Sequence, residues 1–101
     1  MLEENKQEFL NLMRENVKRD GVEKLIEWIE TTDFFTAPAS TKFHSAFEGG
    51  LCQHSLNVYH KLLDLVKMEF GEDWEKHISL ETITISALLH DICKANTYKV
   101  E

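Results

Sequence analysis

The stretch from Ile83 to Lys94, ITISALLHDICK, constrains this chain more than any other, because it joins a helix fit for burial to three ionisable groups near its end. At about 100° per residue, Ile83, Ala87, His90, Asp91 and Lys94 share one broad face, while Ile85, Leu88, Leu89 and Ile92 cover much of the remaining circumference. A helix that is apolar nearly all round belongs at the centre of a bundle. Ser79 is placed to cap its free amides, and Glu81 puts negative charge into its first turn. His90 and Lys94 then stand one turn apart, with Asp91 beside His90. Burying such groups without partners is expensive, so they need a ligand, a counter-ion or one another.

Neutral imidazole and carboxylate together suit a divalent transition metal, and a lysine in the same pocket is tolerated when an anion such as phosphate comes between. The plainer alternative is a His–Asp or Asp–Lys pair that satisfies only itself. A second histidine bears on the choice. After Gly49-Gly50, the residues Leu51, Ser55, Val58, Leu62, Leu65 and Val66 recur at helical spacing, and His54 lies at the edge of that stripe, near the first turn. From there it can look across a groove toward the central helix, or simply sit satisfied in the core. Cys52-x-His54 and His90-x-x-Cys93 also raise a structural zinc site, against which stands small apolar packing of both thiols.

The rest of the chain reads as scaffold. Leu2 to Val17 is a charged helix whose apolar side is Phe9, Leu10, Leu12 and Met13. Asp20-Gly21 breaks it, Asp20 is placed to cap a second helix, and Val22, Leu25, Ile26 and Ile29 form that helix's stripe. The segment from Thr31 to Gly50 is irregular, with Pro38 and the glycine pair preventing a continuous helix. Gly71-Glu72-Asp73 ends the His54 helix, and Trp74 anchors the turn toward the last one. His60 falls on a polar side and His77 in a connecting turn. No strand pattern or internal repeat is apparent. The expected fold is all-α, with about four main helices.

Gly49-Gly50-Leu51-x-x-His54-Ser55-Leu56-x-Val58, followed by an apolar helix closing on Leu88-Leu89-His90-Asp91-Ile92-x-Lys94, resembles the HD-domain metal-dependent phosphohydrolases, whose members are all-helical. The run from Ala37 through Lys42, Phe43 and His44 to Glu48 is similar to what precedes the first histidine in the branch that includes a bacterial 3′-5′ exoribonuclease and phage-borne HD proteins. The resemblance covers roughly residues 34 to 98. It implies an HD-like helical bundle in which His54, His90 and Asp91 are metal ligands for Mn²⁺, Fe²⁺, Mg²⁺, Ni²⁺ or a similar ion. Lys94 would face the phosphate, and His44 would border the substrate pocket. Asp91, Lys94 and His44 are thus the catalytic candidates.

The family completes its site with an aspartate well downstream, whereas Ile92 to Glu101 contains neither Asp nor His. The expectation is therefore one domain over residues 1–101, with N-terminal helices at 1–32, a loop at 33–50 and metal-site helices at 51–101, lacking a C-terminal portion; the alternatives are ligands supplied by another chain or a catalytically incomplete site. Metal binding by these residues alone is expected to be weak and turnover slight.

A net charge of −7 argues against a broad surface for duplex nucleic acid, although a single nucleotide or a nucleic-acid end remains compatible. The apolar runs are far short of a membrane span, the first residues lack a signal-peptide layout, and two cysteines give no disulfide framework, so a cytoplasmic setting is expected. The expected function is hydrolysis of a nucleotide or phosphoester. The rival is a non-catalytic HD module that covers an open apolar face by binding a partner or forming a homodimer.

Overall fold

The computed structural model describes residues 2–38, 47–92 and 95. Among these the chain is all helical: α1 (Leu2–Asn16), α2 (Val22–Thr31), α3 (Gly50–Phe70), the four-residue α4 (Trp74–His77) and α5 (Leu80–Leu89). A 3-10 turn at Gly71–Asp73 joins α3 to α4.

Helix α1 buries Phe9, Leu10 and Met13, with Glu3 and Glu4 in its first turn and Arg14 in its last, the charge order its dipole favours. Asp20 does not cap α2. The cap position belongs to Gly21, whose φ of 90° is a left-handed conformation open to glycine, and Gly21 carbonyl accepts the Leu25 amide at 2.9 Å. Ile26 and Ile29 are fully buried, and Val22 and Leu25 pack at the margin.

The chain leaving α2 turns at once into the core. Phe9, Phe34 and Phe35 form a three-ring cluster with centroids 4.9 to 5.4 Å apart, two of the three pairs edge-on. Beyond them, Thr36 and Ala37 carbonyls accept the Gly49 and Leu51 amides at 2.8 and 2.9 Å, which satisfies backbone donors at the start of α3. Gly49 has φ of 81°, and a Cβ there would run into the Leu2 side chain. The start of α3 is therefore seated against both α1 and the aromatic cluster.

Along α3 the buried residues are Gly50, Leu51, Cys52, Ser55, Leu56, Tyr59 and Val66, whereas Leu65 is 60% exposed. This shifts the stripe expected from periodicity, because α3 is covered from two sides, by α5 and by α1. Gly71, with φ of 69°, stops the helix. Trp74 then packs at the core margin beneath Lys67, and the His77 ring stacks on Phe70 at 4.2 Å.

Ser79 caps α5 as expected: its Oγ accepts the Thr82 amide at 3.1 Å. Helix α5 buries Ile83, Thr84, Ala87 and Leu88 against α3 and α1. Asn16 ties the three together, its amide donating to Thr84 Oγ1 at 3.1 Å and Tyr59 Oη at 3.4 Å, while the Thr84 hydroxyl donates to Leu80 carbonyl at 2.8 Å. No helix among the described residues is long and apolar enough to cross a membrane.

Candidate metal centre

His54 is delivered by the second turn of α3 and the His90–Asp91 pair by the end of α5. His54 lies between buried Leu51 and Ser55 on one side and exposed Asn57 on the other. The regular part of α5 ends at Leu89, so the helix expected to run on to Lys94 stops earlier. Just past that end, His90 Nδ1 lies 2.6 Å from Ala87 carbonyl.

That contact also fixes the ring. A carbonyl oxygen only accepts, so Nδ1 carries a proton and Nε2 is turned to the site. His90 Nε2 lies 3.1 Å from Asp91 Oδ2, and His54 Nε2 lies 3.5 Å from the same oxygen. The two imidazole centroids are 5.4 Å apart, and one ligand atom from each of the three residues falls within 4.8 Å of the others. With side-chain exposures of 22, 32 and 18% for His54, His90 and Asp91, the cluster is walled behind and open in front.

These residues fit a divalent ion. Neighbouring ligands at about 2.1 Å from an ion stand about 3.0–3.4 Å apart, close to the two measured edges. The third edge, between the two imidazole nitrogens, lies within 4.8 Å. A cation between the three would meet the carboxylate charge and take one ring nitrogen from each imidazole. Two nitrogens and one oxygen suit Mn²⁺, Fe²⁺ or Ni²⁺ better than the all-oxygen preference of Mg²⁺.

The other candidates fall elsewhere. Cys52 is buried with its thiol pushed up to about 12, by burial first and Glu8 second, and it lies 3.7 Å from Asn5 carbonyl. Two residues before His54, it is about 200° around α3 and is not part of the cluster. A protonated thiol on the far side is packing, not a ligand. His60 is exposed and pairs with Glu8 at 2.8 Å. His44, Cys93 and Lys94 lie outside the described residues.

Two features escaped the reading of residues: the Ala87 carbonyl that sets the His90 tautomer, and a chain of side-chain amides beside His54. Asn5 Nδ2 donates to Gln53 Oε1 at 2.7 Å, and Gln53 Nε2 donates to Asn57 Oδ1 at 3.0 Å. A signal for the second existed, since Gln53 and Asn57 are one turn apart. One hollow of about 540 Å³ runs along the outer side of α1 between Glu3, Glu4, Glu8 and Glu15, away from all three clustered residues.

Over 65 residues the chain is 35% identical to a dihydroneopterin 2′,3′-cyclic phosphate phosphodiesterase of Methanocaldococcus jannaschii, an alignment covering 61% of this chain and 24% of that protein. The chain thus spans about a quarter of the length of this curated relative. No family model and no solved structure matches it. The sequence relation is to a phosphodiesterase.

Proposed function

We propose that the chain holds a divalent metal ion through His54, His90 and Asp91 and belongs to a metal-dependent phosphohydrolase acting on nucleotides or nucleic-acid ends. The observation that carries this reading is the convergence of three ligand atoms, from two helices, on one half-open point. The similarity to a phosphodiesterase supports phosphoester chemistry, and the resemblance of the two histidine motifs to HD-domain enzymes supports the same assignment.

A bound ion would polarise a phosphoryl oxygen and make water a better nucleophile at neutral pH. The protein's contribution is placement. Ala87 carbonyl holds the His90 proton at Nδ1, so Nε2 keeps its lone pair and its direction. Asp91 supplies the negative charge, and the buried Leu51, Ser55 and Ala87 leave the front as the side for substrate. Lys94 and His44 are assigned from sequence to the phosphoryl oxygens, where a cation and a hydrogen-bond donor stabilise developing charge.

Cobalt is the direct probe. Co²⁺ titrated into the protein should develop a saturable visible absorption that His54→Ala and His90→Ala each abolish, and whatever slight Mn²⁺-dependent hydrolysis of bis(p-nitrophenyl) phosphate the protein shows should be lost in the same variants. A protein that shows no more Co²⁺ absorption than the double variant would overturn the reading.

A further inference from the structure

Two polar side chains follow His54 along the same edge of α3. Asn57 is three residues on and Lys61 seven, so Lys61 lies within about 20° of His54 around the helix and about 10.5 Å along it. Side chains on a helix lean toward its N-terminus, which carries Lys61 back over the turn that holds Asn57. Both residues are exposed.

Each is left in the state of a donor. The amide chain from Asn5 through Gln53 ends by occupying Asn57 Oδ1, which leaves the Asn57 NH₂ as its outward terminus. Lys61 forms no ion pair among the described residues, although the chain carries 18 acidic groups against 11 basic ones. Lys6 pairs with Glu30, Lys76 with Asp73, and Lys67 lies over Trp74; Lys18 and Lys24 share Lys61's lack of an ion pair among the described residues, but Lys61 alone of these lies in line with His54 on α3. His60, on the other edge of α3, is taken by Glu8.

We infer that Asn57 and Lys61 form a second anion subsite, one to two helical turns from the metal cluster, which selects substrates carrying a second phosphate. The inference rests on the proposed metal site and adds its substrate class: a nucleotide or oligonucleotide end with two phosphates separated by a sugar, in preference to a simple monophosphate. The metal cluster takes the reacting phosphate. Asn57 and Lys61 take the other, the oriented amide giving direction and the ammonium giving charge.

The test compares adenosine 3′,5′-bisphosphate with adenosine 5′-monophosphate, binding to the Mn²⁺-loaded protein by calorimetry. The wild-type protein should prefer the bisphosphate by roughly tenfold, the scale of one partly solvated charge-assisted contact. Lys61→Ala should bring that ratio close to one and Asn57→Ala should reduce it, with Mn²⁺ affinity unchanged in both, while Lys61→Arg should retain it. Equal affinity of the wild-type protein for the two nucleotides, or a preference that survives Lys61→Ala, overturns the subsite while leaving the metal site standing. Failure of the wild-type protein to bind Mn²⁺ overturns the metal reading and the subsite together.

Discussion

The two ends of α5 each present a carboxylate to another part of the chain, and they find opposite company. At the first turn, Glu81 meets donors: the Lys18 amide at 2.7 Å and Arg19 Nε at 3.0 Å, which fastens the α1–α2 turn. Just past the last turn, Asp91 meets two imidazole nitrogens, at 3.1 and 3.5 Å. The first arrangement is complete in itself. The second brings together three side chains of the types that hold a divalent ion, which is how a structural contact and the proposed site differ on one helix.

The sharpest way to break this comparison is to neutralise each acid in turn. Asp91→Asn should weaken Mn²⁺ binding by more than about a hundredfold, since it removes a proposed ligand and outer partners alone command about 10–100-fold. Glu81→Gln should leave Mn²⁺ affinity as it is. Equal effects of the two substitutions, measured by calorimetric titration, would erase the distinction between the ends.

Between the ends, Leu88 is fully buried one turn before Ile92 and two residues before His90. Leu88→Ala should cost about 2–5 kcal/mol of stability, through lost burial and the cavity left behind. Urea denaturation gives the value. Mn²⁺ affinity of the folded fraction should change far less than in Asp91→Asn, because the His90 ring is held by the helix backbone and not by Leu88. A large fall in affinity together with a small fall in stability would show instead that core packing aims the ligands.

Rules that act within a few residues were legible in the sequence. The stripes of α1 and α2, the glycine stop after α3 and the Ser79 cap depend on spacing and local hydrogen bonding. Where two parts of the chain compete for one residue, the reading went astray. Periodicity ran α5 through to Lys94, whereas its regular part ends at Leu89. It put Leu65 in the stripe of α3, whereas cover from both α1 and α5 buries Leu56 and Tyr59. Asp20 looked like a cap, yet Gly21 occupies the position with a φ that an L side chain resists. The Asn16 clamp was out of reach altogether, because its partners lie 43 and 68 residues away. For the site, spacing could place His54 and His90 on facing edges. The distances and the tautomer needed the fold.

The smallest expected effect belongs to the completed end of α5, and it has a direction in pH. The Lys18 amide, with the Arg19 guanidinium second, holds the Glu81 carboxyl below its ordinary 4.5. A carboxyl with a lowered folded pKa contributes stability that is fully present above its unfolded pKa and is lost as pH falls through the folded value. Wild-type protein should therefore be modestly more stable than Glu81→Gln at pH 7, and the gap should shrink progressively below about pH 4.5. Denaturant melts of both proteins between pH 7 and pH 3 measure the gap. Added salt should narrow it at pH 7 as well, because the Arg19 partner is largely exposed. A gap that keeps its size through the acid range would mean that Glu81 holds the turn by shape and hydrogen bonding that glutamine reproduces poorly, and its charge would then have no part in separating the two ends of α5.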